Sequence, residues 1–99
     1  MGWADMHIAS LKTGSVVKFR PTGNSMNPKI KDRQLVTVRP LEPDEIPKKG
    51  DIVLCKVKGR QLLHLVRGVM GEEVCIENAS GHVNGWTSQI FGIVTKVEP

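Results

Sequence analysis

A chain of 99 residues is long enough for one small domain with a modest hydrophobic core. Its 39% hydrophobic content excludes a disordered chain, and no stretch reaches the roughly 18 apolar residues of a membrane helix. The net charge of +4 is concentrated between Lys12 and Arg60, where twelve Lys or Arg face five Asp or Glu. Such a region can attract nucleic acid. However, no Tyr is present and aromatic residues make up only 4% of the chain, so solvated strand edges are the favoured interpretation.

The two cysteines, Cys55 and Cys75, each lie in an apolar run of the kind found in strands, which predicts buried free thiols rather than a disulfide framework. Residues 1–10 lack the basic start and apolar run of a signal peptide, so we expect a reducing, cytoplasmic location without a membrane anchor. Together with His64 and His82, the cysteines could be considered as zinc ligands. Because no Cys-x-x-Cys or His-x-x-x-His spacing is present, we predict no metal and no other cofactor.

Short β-branched or alternating segments dominate the chain and predict six strands, at residues 15–20, 34–39, 51–57, 61–70, 74–77 and 90–97. Residues 58–60 (Lys-Gly-Arg) predict a tight hairpin turn between the third and fourth strands, whereas residues 40–50, with three prolines, predict an irregular connection. The expected fold is therefore all-β, a partly open barrel of short antiparallel strands, in a single domain spanning residues 1–99 with its core at about 16–97.

The segment at residues 23–28, Gly-Asn-Ser-Met-Asn-Pro, has the composition of a tight loop that presents a serine. Peptidases without a conventional triad need an exposed Ser, a base within hydrogen-bond reach and backbone N–H donors for the oxyanion. Ser25 is the candidate nucleophile, and the backbone around Gly23, Ser25 and Met26 is the candidate oxyanion site. The alternative is that Ser25 only caps a turn.

Several segments resemble the LexA/signal-peptidase superfamily of serine peptidases. Gly-x-Ser-Met-x-Pro at residues 23–28 is similar to its nucleophile box, and Lys-Gly-Asp-Ile-Val at 49–53 is similar to its second box. Residues 78–86 and 91–94 resemble, more loosely, its final box and closing strand. The resemblance covers about residues 16–97.

The resemblance implies that the general base lies on the strand after the second box, where His64 stands. Archaeal and endoplasmic-reticulum signal peptidases have His at this position, so the chain resembles the Ser/His branch more than the Ser/Lys branch. A neutral imidazole is suited to accepting a serine proton near pH 7. His64 shares a strand face with Leu62 and Val66, which is equally consistent with a buried structural histidine.

The chain departs from the family pattern in ways that favour a second hypothesis. Arg33-Gln34 stand where Gly-Asp is usual, Leu65 replaces Arg after the base, and Asn84 is the nearest counterpart of an orienting Asp. An Asn can accept a hydrogen bond from His but cannot offset the charge of an imidazolium. Neither Ala-Gly nor Cys-Gly, the self-cleavage sites of LexA-type proteins, occurs before Ser25.

Two functions from different classes follow. The first is a serine endopeptidase whose Ser25/His64 dyad cleaves a peptide bond in a protein partner, with Asn84 orienting the base. The alternative is a catalytically inactive module of the same fold, encoded by a phage or mobile element, that binds a host protein or nucleic acid through the basic region. The resemblance also implies a homodimer. A third possibility is an unrelated β-barrel whose motifs match by chance, with Ser25 and His64 far apart.

Overall fold

The computed structural model describes residues 2–99, which form one short helix and seven strands. In chain order these are α1 (Asp5–Lys12), β1 (Val17–Phe19), β2 (Leu35–Pro40), β3 (Ile52–Val57), β4 (Arg60–Met70), β5 (Glu73–Glu77), β6 (Val83–Thr87) and β7 (Ile90–Glu98). The strands make one antiparallel sheet in the order β1-β2-β7-β3-β4-β5-β6, with β1 and β6 at its two edges. The predicted mainly β fold is confirmed.

The sheet curls without closing, so that β6 comes into contact with β3 although two strands lie between them. The contact is partly polar. The Thr87 hydroxyl at the end of β6 donates a hydrogen bond of 2.7 Å to the Lys56 carbonyl, and the Lys56 N–H donates to the Gln89 carbonyl at 2.9 Å. Because these bonds link the far side of the sheet to β3, they hold the curled half as a partly open barrel, as the sequence predicts.

All six predicted strands are present, but the sequence prediction missed α1 and β6. The helix has only eight residues, of which Ile8 and Leu11 are buried, and so it offers too few turns for a helical period to stand out. An isolated helix of this length is marginal in water, so packing against the sheet must stabilise it. Strand β6 is mostly exposed or half-buried, and the glycine at its centre breaks the strand pattern.

The core lies on both faces of the sheet, because β3 and β4 bury consecutive residues rather than alternate ones. One cluster joins α1 and the loop around Ser25 to the sheet, and its buried members are Ala4, Ile8, Leu11, Met26, Ile30, Val36, Val38, Leu54, Leu63 and Leu65. The other fills the curled half, with Val53, Cys55, Val57, Leu62, Val66, Val74, Ile76 and Ile93. Cys55 and Cys75 are both buried and free, as predicted, and burial raises the pKa of the Cys55 thiol to about 12.

A two-residue turn at Lys58-Gly59 sets the register between β3 and β4. Both residues have positive φ, 50° and 81°, which is the geometry of the tight hairpin turn whose twist matches that of the strands. The resulting register pairs Val53 with His64. Because successive side chains alternate between faces, a slip of one residue would move His64 to the opposite face of the sheet.

Gly92 of β7 is needed at a point where the strands approach closely. A Cβ atom at this position would lie 2.6 Å from the Arg39 carbonyl oxygen and 2.6 Å from a Val38 methyl carbon. Since the backbone carbonyl of β2 cannot move cheaply, we expect Gly92→Ala to lower the free energy of unfolding by about 1–3 kcal/mol, as overpacked cores do. Urea-induced unfolding followed by circular dichroism measures this loss.

Gly68 of β4 provides the matched control. Nothing lies within 4 Å of a Cβ built there, and this glycine is not among those with positive φ. Gly68→Ala is therefore expected to leave stability unchanged or to raise it by up to about 1 kcal/mol, through the lower entropy of the unfolded chain. Equal losses in the two variants would contradict the role given to Gly92.

Candidate active site

Ser25 is exposed on a loop, residues 23–30, that is fixed from both sides. Met26 and Ile30 are buried in the first core cluster, and the Ile30 N–H donates to the Met26 carbonyl at 2.9 Å. On the other side, the N–H of Ala79, in the β5–β6 connection, donates to the Ser25 carbonyl at 2.9 Å. The serine side chain therefore faces solvent while its backbone is anchored to two separate parts of the fold.

Gly23 and Asp32 shape the start of this loop. Gly23 has φ of 104°, a conformation that residues with a side chain adopt only with strain, and its N–H donates to the Asp32 carboxylate at 2.7 Å. This amide is therefore committed to shaping the loop. The sequence prediction did not include Asp32.

The predicted nucleophile, general base and orienting residue meet in the structure. The Ser25 Oγ and His64 Nε2 atoms are 3.1 Å apart, and His64 Nδ1 is 2.8 Å from Asn84 Oδ1. Since an amide oxygen can only accept a hydrogen bond, the His64 proton is on Nδ1 and is donated to Asn84. Nε2 is then the unprotonated nitrogen, which can accept a hydrogen bond from the Ser25 hydroxyl.

A β-bulge brings Asn84 to His64. In the pairing of β5 with β6, Ile76 is opposite Gly85 and Glu77 is opposite Val83, which leaves Asn84 as the extra residue. Strands are about 4.8 Å apart, so β4 and β6 would be separated by about 10 Å on a flat sheet. The bulge and the curl of the sheet together close this gap.

His64 is almost entirely buried, with 7% of its surface exposed. Burial lowers its pKa from the usual 6.5, because the imidazolium loses hydration; the hydrogen bond to Asn84 acts in the opposite direction, and the charges of Arg60 and His82 lower it further. The imidazole is therefore neutral at pH 7, which is the state that accepts a proton. His82 lies near enough to affect this pKa, but among residues 2–99 no group of three His, Cys, Asp or Glu side chains could hold a metal ion.

Two backbone amides next to the serine hydroxyl remain available for an oxyanion. Within residues 2–99, neither the Ser25 N–H nor the Met26 N–H donates to an acceptor. Free N–H groups at and after a nucleophile are the donors that hold the oxygen of a tetrahedral intermediate. Of the three residues predicted for this role, Ser25 and Met26 thus have free amides within residues 2–99, whereas the Gly23 amide binds Asp32.

A cleft of about 410 Å³ opens at the Ser25–His64 pair. Met26, Leu62 and Leu63 contribute apolar surface to its lining, and Trp3 and Phe19 line it as well. Segments from four parts of the chain thus form its walls. Gly23 is the one residue before Ser25 that the sequence prediction assigned to the site, so the contribution of Trp3 is a feature that only the structure reveals.

A comparison with known families agrees with this geometry. The family model described as Peptidase S24-like matches residues 5–78, about three quarters of the chain. The chain therefore belongs to the Peptidase S24-like family, within the superfamily that its motifs resemble. No curated protein matches the chain. In residues 2–99 no helix has both the length and the apolar character that a bilayer span requires.

The lowered pKa of His64 leads to a prediction about stability. As the pH is lowered below 6.5, the unfolded chain takes up a proton at this histidine before the folded protein does. The free energy of unfolding therefore decreases until the pH reaches the pKa of His64 in the folded protein. Above pH 6.5 the histidine is neutral in both states, and its full contribution to the free energy of unfolding is present. The pH dependence due to this one group is at most about 1.4 kcal/mol for each pH unit. We expect His64→Gln to show a weaker decline between pH 7.5 and pH 5 in urea unfolding, and an identical decline in both proteins would contradict the assignment.

Proposed function

We propose that this chain is a serine endopeptidase that cleaves a peptide bond in a partner protein with Ser25 as nucleophile and His64 as general base. The observation that supports it most directly is the continuous chain of hydrogen bonds from Ser25 through His64 to Asn84, with distances of 3.1 Å and 2.8 Å. Distances of this size allow proton transfer even before a substrate is bound. Membership of a peptidase family supports the same function.

In the first step, the Ser25 hydroxyl transfers its proton to His64 Nε2 as its oxygen bonds to the substrate carbonyl carbon. The bond to the Asn84 carbonyl holds the ring so that Nε2 points at the serine. The carbonyl oxygen becomes negatively charged, and the free Ser25 and Met26 amides can stabilise it. The imidazolium then gives the proton to the leaving nitrogen, the C–N bond breaks, and an acyl-enzyme remains. Water attacks the ester with His64 again as the base, which restores the serine.

The substrate proposed for this site is an extended segment of a protein. Phe19 of β1 lines the cleft, and within residues 2–99 β1 is an edge strand of the sheet, paired with β2 on one side. Extended peptides commonly bind by adding a strand to such an edge, where the backbone contributes affinity and the side-chain pockets contribute specificity. A protein substrate also agrees with the family of the chain.

Ser25→Ala and His64→Ala test the dyad. A fluorophosphonate probe reacts with activated serines, and we expect both substitutions to slow its reaction by more than about 1,000-fold because either one removes the nucleophile or its base. Mass spectrometry of the labelled protein identifies the modified residue. A mixed peptide library then tests cleavage by the native protein and by both variants.

Ser88→Ala is the control for this experiment, since Ser88 is an exposed serine in the β6–β7 connection. It should leave labelling unchanged. Thermal unfolding of each variant separates loss of reactivity from loss of fold. Labelling that persists in Ser25→Ala, or peptide cleavage by that variant at the native rate, would refute the proposed dyad.

Asn84→Asp tests the orienting role of the third residue. A carboxylate beside Nδ1 would stabilise the imidazolium, which Asn84 cannot do, and so it should raise the pKa of His64. The pH profile of fluorophosphonate labelling should move its acidic limb to higher pH, with faster labelling on the plateau. Asn84→Ala should slow labelling at every pH. An unchanged profile in Asn84→Asp would exclude a direct role for this residue.

A further inference from the structure

The cleft continues from the Ser25–His64 pair to an aromatic wall made by the N-terminal segment. Trp3 and Phe19 have ring centroids 5.7 Å apart, and the His7 ring stacks on Phe19 at 4.3 Å. All three line the cleft. Trp3 is 53% exposed, which is unusual for an aromatic ring of this size, and it leaves a face free to contact a ligand.

Gln61 of β4 holds this wall in place. Its backbone carbonyl accepts the Trp3 indole N–H at 3.1 Å, its side-chain oxygen accepts the Ala4 N–H at 2.7 Å, and its side-chain nitrogen donates to Asp5 at 2.5 Å. The aromatic wall is therefore attached to the strand that carries His64. Three positions separate Gln61 from His64, and a strand rises about 3.3 Å per residue, so the wall lies about 10 Å from the base. An extended peptide covers this distance with about three residues.

The charges along the cleft have one sign. Arg20 and Lys31 line it, and none of its lining residues within 2–99 is an Asp or a Glu. Two carboxylates bind residues of the lining without lining the cleft themselves: Asp5 binds Gln61, and Asp32 binds the Gly23 amide and faces Arg33 at 3.7 Å. The Arg20 guanidinium donates to the Arg33 carbonyl at 2.9 Å, which holds its charge beside the cleft.

We propose that the cleft selects an extended peptide that carries a large apolar side chain next to a carboxylate, with the apolar group against Trp3 and Phe19 and the carboxylate near Arg20 and Lys31. The apolar surface supplies affinity through burial, and the two cations supply discrimination by charge. The inference rests on the proposed peptidase function, because it identifies the class of substrate for that site. In this proposal, part of the specificity for the peptide substrate comes from Trp3, in the segment before β1.

Binding can be measured without cleavage. The chain has two tryptophans, Trp3 and Trp86, so Trp86→Phe leaves Trp3 as the only indole reporter, and Ser25→Ala prevents turnover. Four short peptides with blocked ends and the same alanine background carry Leu-Glu, Leu-Gln, Leu-Lys or Ala-Glu at the same two positions. Titration of each into the Ser25→Ala/Trp86→Phe protein is followed by the emission of Trp3.

The Leu-Glu peptide should bind most tightly. Replacing Glu by Gln should weaken binding about threefold, because exposed charge pairs contribute modestly, and Leu-Lys should bind more weakly still. Replacing Leu by Ala should weaken binding about tenfold through lost apolar burial. Raising the salt from about 0.05 M to about 0.5 M should reduce the preference for Glu over Gln, since the charges are exposed.

Lys31→Gln tests the charge directly, and Lys49→Gln is its matched control. Both lysines are exposed, but Lys49 lies in the β2–β3 connection and does not line the cleft. Lys31→Gln should reduce the preference for Glu over Gln, whereas Lys49→Gln should preserve it. Equal binding of the four peptides, an unchanged preference in Lys31→Gln, or no response of Trp3 would overturn the inference.

The same peptides separate this inference from the proposed function. If the binding preference is found but the native protein does not cleave the Leu-Glu peptide or longer chains containing it, the cleft is selective and the peptidase proposal fails. If the native protein cleaves all four peptides equally well, the peptidase proposal stands and the inferred selectivity is wrong.

Discussion

The register of the β3–β4 hairpin is the constraint on which the site depends. The Lys58-Gly59 turn pairs Val53 with His64 and so decides the face on which the imidazole lies. Because β3 and β4 are packed on both faces, a change of register would expose apolar side chains as well as misplace the histidine. The core therefore specifies the position of His64 at the same time as it stabilises the fold.

The proposed nucleophile and the proposed base are held by different kinds of structure. His64 is buried in the middle of a long strand, where burial lowers its pKa and the packed surroundings leave its ring few other orientations. Ser25 is exposed on a loop, and its position depends on the Met26 side chain below it and on the Ala79 amide beside it. This division has a physical reason. A base benefits from desolvation near neutral pH, whereas a nucleophile must be reached by a bulky peptide.

Much of the site could be predicted because it depends on residue types and on the alternation of residues within single segments. Gly23 and Pro28 around Ser25 predict a loop, and the alternation of residues on β4 puts His64 on a face with Leu62 and Val66. Asn84 was predicted from the resemblance alone, since nothing in the local pattern of β6 points towards His64. The role of Asp32 could not be predicted, because its carboxylate reaches the Gly23 amide across a loop whose path the residue types do not define. The homodimer and the cytoplasmic location stay predictions.

The sequence by itself determined six of the seven strands, the hairpin at residues 58–60, the serine loop and the face of His64, since each follows from periods of two residues or from the requirements of single turns. The tertiary structure decided that Asn84 reaches His64, because that contact needs both a bulge in β6 and a curled sheet. It also decided that Trp3 forms a wall of the cleft, through bonds to Gln61 nearly sixty residues away. Such contacts depend on how distant segments approach one another, and no local pattern of residues records that approach.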